Sequence, residues 1–220
     1  MAIDTMSSEK IDTRTRILKA TWSLLEDNVA KLPRMSDIAK AAGVSRQALY
    51  LHFPSRTELL IETTRYQDQT YNVDERLAAS RSAPTGRARL DAFVTAWCNY
   101  VPQIWNVGRA LLVLAETEPE AADAINQRMS DIAEGFEAAV LALARDGDLP
   151  SGVDTKRMTE LLCALLSFRT WEMLTQQYNW PHDQYLKTMQ ALARAATLGG
   201  TNEIVQPLLQ SAPQPPKPGR

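Results

Sequence analysis

Residues 35–56 read MSDIAKAAGVSRQALYLHFPSR, and their reading decides the fold. Ile38, Ala39 and Ala42 recur at helical spacing, which gives a short helix one apolar face. Gly43 follows, a residue that tolerates positive φ and so permits a sharp reversal. Val44 plugs the turn. Ser45 can cap a second helix by accepting one of its free N–H groups. That second helix is expected over residues 46–53, with Leu49 and Phe53 turned inward. Arg46, Gln47, Ala48, Tyr50 and His52 are left for its outer face and edges. Pro54 stops it.

Two readings of this pattern stay open. One is an αα-hairpin with a solvated, charged face. The other is a helix-turn-helix at residues 34–53, whose second helix enters the major groove of DNA. The particular residues favour the second. Ile38-Ala39, Ala42-Gly43-Val44-Ser45, Leu49-Tyr50, His52-Phe53 and Ser55-Arg56 closely resemble the DNA-binding signature of the tetracycline-repressor (TetR) family. In motif terms the resemblance spans residues 11–71. The rest of the chain matches only in length and helical layout. Three positions depart from the family pattern. Asp27-Asn28 stands where a glycine is usual, and Asn28 can take the left-handed cap instead. Arg34-Met35 stands where Thr or Ser commonly opens the next helix. Arg56 stands where Lys is usual and keeps the charge.

The chemistry of the outer face assigns roles. Arg46 and Gln47, at the start of the second helix, can bond guanine and adenine, each worth about 1–3 kcal/mol of discrimination. Ala48 can approach a thymine methyl. Ser45, Tyr50, His52 and Arg56 suit phosphates, which fix register rather than sequence, with packing against the first helix as the other reading of Tyr50 and His52. Ser36 is a further DNA contact or a share of its own helix cap. Lys10 is placed near phosphate.

Charge is unevenly spread. Through residue 56 there are nine Lys and Arg against six Asp and Glu, a net of +3; from 57 onward there are fifteen against twenty, a net of −5. A basic head on an acidic body is what a local DNA footprint needs. No apolar run is long enough to cross a bilayer and no secretory pattern opens the chain, so a cytoplasmic protein is expected. Cys98 and Cys163 both lie in apolar helical contexts and read as buried thiols rather than a disulfide.

The periodicity predicts an all-α chain of about nine helices. Residues 1–10 form a flexible start, residues 11–71 a three-helix DNA-binding domain, residues 72–200 an effector-binding and dimerisation domain, and residues 201–220 a Pro-rich, disordered tail. The first helix runs from residue 12 or 13 to 27, buried through Ile17, Ala20, Trp22, Leu24 and Leu25. A capping box, Ser55 with Glu58, opens a helix expected to reach residue 78 or 79. The body then reads as 87–101, interrupted by Pro102, then 104–116 and 119–145. Asp154 caps a helix to residue 177, and Pro181 starts the last, to residue 198 before Gly199-Gly200.

The last two helices carry more apolar surface than one stripe requires. Leu161, Leu165, Leu186, Met189, Leu192, Ala193 and Ala196 are assigned to a dimer interface, the four-helix bundle that the resemblance implies. The alternative is that the same chain covers both faces. Dimerisation sets two heads about 34–36 Å apart, or a multiple, on a palindromic operator. The resemblance also implies a ligand cavity in the body. Trp97, Tyr100, Trp105, Arg109, Phe136, Phe168 and Trp171 are its candidate lining, for a flat or lipophilic effector. Arg109, Glu116, Arg169 and Glu172 are candidate polar anchors. Plain core packing is the competing role for each aromatic.

An enzyme finds little support. There are two histidines, His52 and His182, no metal-ligand spacing, no phosphate-binding glycine loop and no nucleophile elbow. No metal or cofactor is therefore expected. The sequence reads as a regulator, most simply a repressor, that a small molecule releases from operator DNA. The runner-up is a helical adaptor or sensor that does not read DNA.

Overall fold

Alternating runs of Val, Ile and Thr are absent from the sequence, and the regular elements among the described residues are all helical. The computed structural model describes residues 12–27 and 32–198. The expected Asn28 cap, Lys10, the Gly199-Gly200 stop and both chain ends lie outside these residues. No helix among the described residues is long and apolar enough to cross a membrane.

Among the described residues ten α-helical segments follow one another: α1 (Thr13–Asp27), α2 (Met35–Ala41), α3 (Arg46–His52), α4 (Arg56–Thr70), α5 (Val73–Arg81), α6 (Gly86–Ala115), α7 (Pro119–Arg145), α8 (Thr155–Leu165), α9 (Phe168–Trp171) and α10 (His182–Thr197). α9 runs directly into a π-helical turn, Glu172–Gln177.

Three boundaries differ from those expected. The helix from residue 56 stops at Thr70 and restarts at Val73, because Asn72 takes the left-handed conformation (φ 49°). Thr70, Tyr71 and Asn72 are all modest helix formers, and Asn tolerates that region better than most residues. Conversely, Pro102 does not split the helix around it, and α6 runs through it for 30 residues. Proline in a helix interior costs about 3 kcal/mol. Val101, Ile104 and Trp105 beside it are all buried, and that packing holds both sides in one helix. The helix from residue 155 breaks at Leu166, where Ser167 acts as a new N-cap and its hydroxyl accepts from Thr170 N–H at 3.2 Å. A local serine bond of this kind competes with the continuing helix.

The chain divides into two compact units. The first comprises the residues up to Tyr71 together with Ile104–Asn126; the second comprises Asn72–Gln103 and the chain from Gln127 onward. In the first unit one core joins Ile17 and Leu18 of α1 to Ile38, Ala39, Ala42, Leu49, Phe53 and Leu59. A second core joins Leu25 and Leu60 to Val107, Ala110, Leu111, Leu114 and Ala121. Residues 104–126, read from sequence as part of the body, therefore pack with the head.

Glu62 of α4 sits between Arg14 of α1 and Arg65 on its own helix. Burial alone would raise the Glu62 pKa, but the hydrogen bonds and charges of Arg14 and Arg65 outweigh it and hold the carboxyl below its usual value.

In the second unit the ring of Phe93 meets that of Phe136 edge-on at 4.8 Å. α10 is tied to α6 by Gln190 to Thr95 at 2.8 Å and by Arg194 to Asp91 at 2.7 Å. Cys98 is fully buried and burial pushes its thiol up to about 12, while Cys163 is only half-buried; both are free thiols. The start of α6 and the end of α7 approach so closely that a Cβ on Gly86 would lie 2.4 Å from the Leu143 nitrogen.

Two outcomes follow from these contacts. A carboxylate with a depressed folded pKa stabilises above its unfolded value, near 4.5, and that contribution is lost as pH falls through the folded value. Glu62→Gln should lower unfolding stability at pH 7 by up to about 1 kcal/mol, the range for half-solvated pairs. Urea melts at pH 7 and pH 3 should show a smaller deficit at the lower pH. Gly86→Ala forces its methyl into backbone, and overpacking of this kind costs about 1–3 kcal/mol, read as a lower urea midpoint.

Candidate functional site

The second helix of the head is short, so its orientation is set from outside. Gly43 turns the chain at φ 65°, Gly43 N–H donates to Lys40 O at 3.2 Å, and Val44 N–H donates to Ala39 O at 3.0 Å. Ser45 then caps α3, its hydroxyl accepting from Ala48 N–H at 3.0 Å. Leu49 and Phe53 are fully buried, which fixes the rotation of α3 about its axis. Arg46, Gln47 and His52 are exposed, Ala48 is half-covered and Tyr50 is 38% exposed. The Arg46 guanidinium lies over the Tyr50 ring at 5.6 Å, so these two side chains form one stacked unit on the outer face. Ser36 is exposed in the first turn of α2, whose N-cap, Arg34, makes no side-chain capping bond.

Arg56 opens α4 behind the Ser55 cap, where Ser55 accepts from Glu58 N–H at 3.0 Å. Beside it stands Glu118, from the turn between α6 and α7. Thr57, fully buried, donates its hydroxyl to the Glu118 carboxylate, and the Arg56 guanidinium approaches the same carboxylate at 4.0 Å. Glu118 therefore occupies the positive end of the α4 dipole. Sequence reasoning singled out neither this contact nor Leu51. Leu51 is 80% exposed on α3. Its signal was present: two residues on from buried Leu49 is about 200° around the helix.

In the second unit a pocket of about 520 Å³ is lined by Asn99, Pro102, Gln103, Trp171, Thr175, Gln176, Trp180 and His182. Of the aromatic set assigned to an effector site, Trp171 lines it. Trp97 donates to Leu166 O at 2.6 Å and stacks edge-on with Phe168, and Phe136 is fully buried against Phe93. Tyr100 is buried under the Arg76 guanidinium at 5.7 Å. These side chains fill the space between the helices with one another. Trp105 and Arg109 belong to the other unit.

Of the dimer set, Met189, Ala193 and Ala196 are buried within the chain itself, because that stripe of α10 faces its own unit. Leu161, Leu165 and Leu186 are half-buried and Leu192 is 40% exposed.

A family model described as bacterial regulatory proteins, tetR family, matches residues 17–63, the segment that builds α2, α3 and their support. Residues 17–63 form a TetR-type DNA-binding head. The chain is 28% identical over 167 residues to the HTH-type transcriptional regulator UidR of Escherichia coli (strain K12), covering 74% of this chain and 82% of that one. It is 27% identical over 149 residues to the nucleoid occlusion factor SlmA of Marinomonas sp. (strain MWYL1), covering 67% of this chain and 74% of that one. Its fold matches a transcriptional regulator of Saccharomonospora viridis crystallised with choline, at a TM-score of 0.71 and 20% identity, over 84% of this chain and 97% of that one. The matched family is one of bacterial regulatory proteins.

The Ser45 cap yields a direct test. Ser45→Ala leaves Ala48 N–H without its acceptor and should cost about 0.5–2 kcal/mol. Faster amide exchange in α3 than in α1 would report that loss.

Proposed function

We propose that the protein is a homodimeric repressor of the bacterial cytoplasm that binds a palindromic operator and leaves it when a small effector fills the body. The outer face of α3 carries this reading. It leaves Arg46, Gln47 and Tyr50 exposed while Leu49 and Phe53 are buried, with Arg46 and Gln47 at the end of the helix that reaches base edges in this motif. Arg46 and Gln47 read bases. Ala48 meets a thymine methyl. Ser36, Ser45, Tyr50, His52 and Arg56 hold phosphates, and the helix N-terminus beside Arg56 adds anion affinity.

The dimer is built on the apolar surface that the chain does not cover for itself. Leu161 and Leu165 of α8 and Leu186 and Leu192 of α10 supply it. Two copies present two α3 helices to successive turns of duplex, roughly 34–36 Å apart or a multiple of that. The choline complex of the S. viridis neighbour supports a small-molecule effector for this chain too. Such an effector acts only to the extent that it binds the non-DNA-binding arrangement more tightly.

DNA selected from a random pool and assayed by gel shift at fixed salt tests the reading. Arg46→Ala should weaken the selected site by about 10- to 100-fold, the loss of one bidentate base contact. Arg56→Ala should weaken selected and random duplexes alike and reduce the salt slope by about one. Unchanged affinity in Arg46→Ala, with the melting temperature intact, would remove α3 from the interface.

A further inference from the structure

The outermost position of α3 is apolar, and that fixes what it can read. We infer that Leu51 is a specificity residue whose side chain packs on the methyl group of a thymine in the major groove, once in each half of the operator. The inference rests on the DNA-binding reading above and adds one base pair to those that Arg46, Gln47 and Ala48 read.

Leu51 is the most exposed large apolar side chain among the described residues, and it joins neither core of the head. A lone exposed leucine elsewhere on a surface needs no explanation. This one stands on the face proposed to meet DNA. Each helical residue turns by about 100°, so Leu51 lies about 200° from buried Leu49 and about 40° from exposed Gln47. Gln47, Ala48 and Leu51 are neighbours at the spacings that a helix brings together. Leu51 is the sixth residue of α3, one turn beyond Gln47. That is about 6 Å along the axis, under two base-pair steps of about 3.4 Å. Recognition helices of other folds read bases from positions this far along.

The chemistry of the groove then selects the base. Guanine, adenine and cytosine present only donors and acceptors there, while thymine adds a methyl group. A leucine side chain has no donor or acceptor, so it bonds neither a phosphate nor a polar base edge. Pressed on guanine, adenine or cytosine it would cover polar groups without pairing them. Against a thymine methyl, two apolar surfaces leave water together. Ala48 ends at its Cβ and is half-covered, whereas Leu51 reaches further from the helix and carries two methyl groups to the contact.

Gel shifts at fixed salt on the selected operator test this, with each thymine replaced in turn by deoxyuridine, which keeps the pairing and removes the methyl. In the parent, one thymine in each half-site should lose about 3- to 10-fold in affinity on that replacement. Leu51→Ala should weaken the unmodified operator by a similar factor and respond no further at that thymine. It should keep the parent melting temperature, because the side chain it shortens is exposed. Leu51→Gln, carried through a fresh selection, should replace thymine by adenine at that position. The inference is overturned if parent and Leu51→Ala respond alike to deoxyuridine at every thymine, or if Leu51→Ala binds the operator as tightly as the parent. A loss equal on selected and random duplexes, without dependence on deoxyuridine, gives Leu51 to the sugar-phosphate backbone and overturns it too. Arg46→Ala separates the two readings. If it weakens the selected site while deoxyuridine registers nowhere through Leu51, only the leucine assignment falls. If Arg46→Ala and Leu51→Ala both leave affinity intact, α3 is out of the interface and both readings fall.

Discussion

The burial of Leu49 and Phe53 is the constraint from which the DNA-facing surface follows. A helix of seven residues is too short to persist alone in water. α3 exists because those two side chains complete a core with Ile17, Ile38 and Leu59, and because Ser45 supplies the cap. Once they are seated, the helix has no rotational freedom. Arg46, Gln47, Tyr50 and Leu51 must face outward whatever their own preferences. The polar and apolar roles of this helix are therefore one decision: the residues that hold it in place also aim it.

The same logic explains why the head does not end at residue 71. Leu25 of α1 and Leu60 of α4 belong to a second core, which Val107, Leu111, Leu114 and Ala121 help to cover. A domain cut after Tyr71 would leave that apolar surface in water, at about 25 cal/mol for each Å² exposed. Periodicity shows that Leu25 and Leu60 are apolar and inward, but it does not say which later segment covers them. That information lies in long-range packing.

Features legible in the sequence were those decided within a turn or two. The caps Ser45, Ser55 and Asp154 all accept backbone N–H groups as their residue types suggest, and Gly43 takes the positive φ that the reversal requires. The spacing of Ile125, Met129, Ile132, Phe136, Val140 and Leu143 matches the continuous α7. Where tertiary packing outweighed local preference, the reading failed, as at Pro102. Where two local preferences competed it failed too, as at Asn72 and Ser167, through each of which a single helix was expected. The aromatic residues of the body show a third limit. Trp97, Phe136 and Phe168 are apolar and spaced for burial, yet spacing cannot distinguish a ring that a ligand covers from one that its neighbours cover. The pocket instead lies where amides and two indoles converge from α6, the π-turn and the segment before α10. No single helix carries that pattern.

Arg56 shows how magnitudes settle a competition on one residue. In the proposed DNA-bound state it faces a phosphate, while in the free chain it approaches the Glu118 carboxylate at 4.0 Å. Both Arg56 and Glu118 are well over a third exposed at their side chains, and a solvated pair at that distance is worth about 0–1 kcal/mol. A phosphate with its bidentate geometry exceeds that easily. Thr57 differs, because its side chain is fully buried and its bond to Glu118 supplies the partner that a buried hydroxyl needs. Arg56 can therefore exchange partners at little cost while Thr57 keeps Glu118 in place. The turn between α6 and α7 is therefore joined to the start of α4 more firmly through Thr57 than through the exposed ion pair.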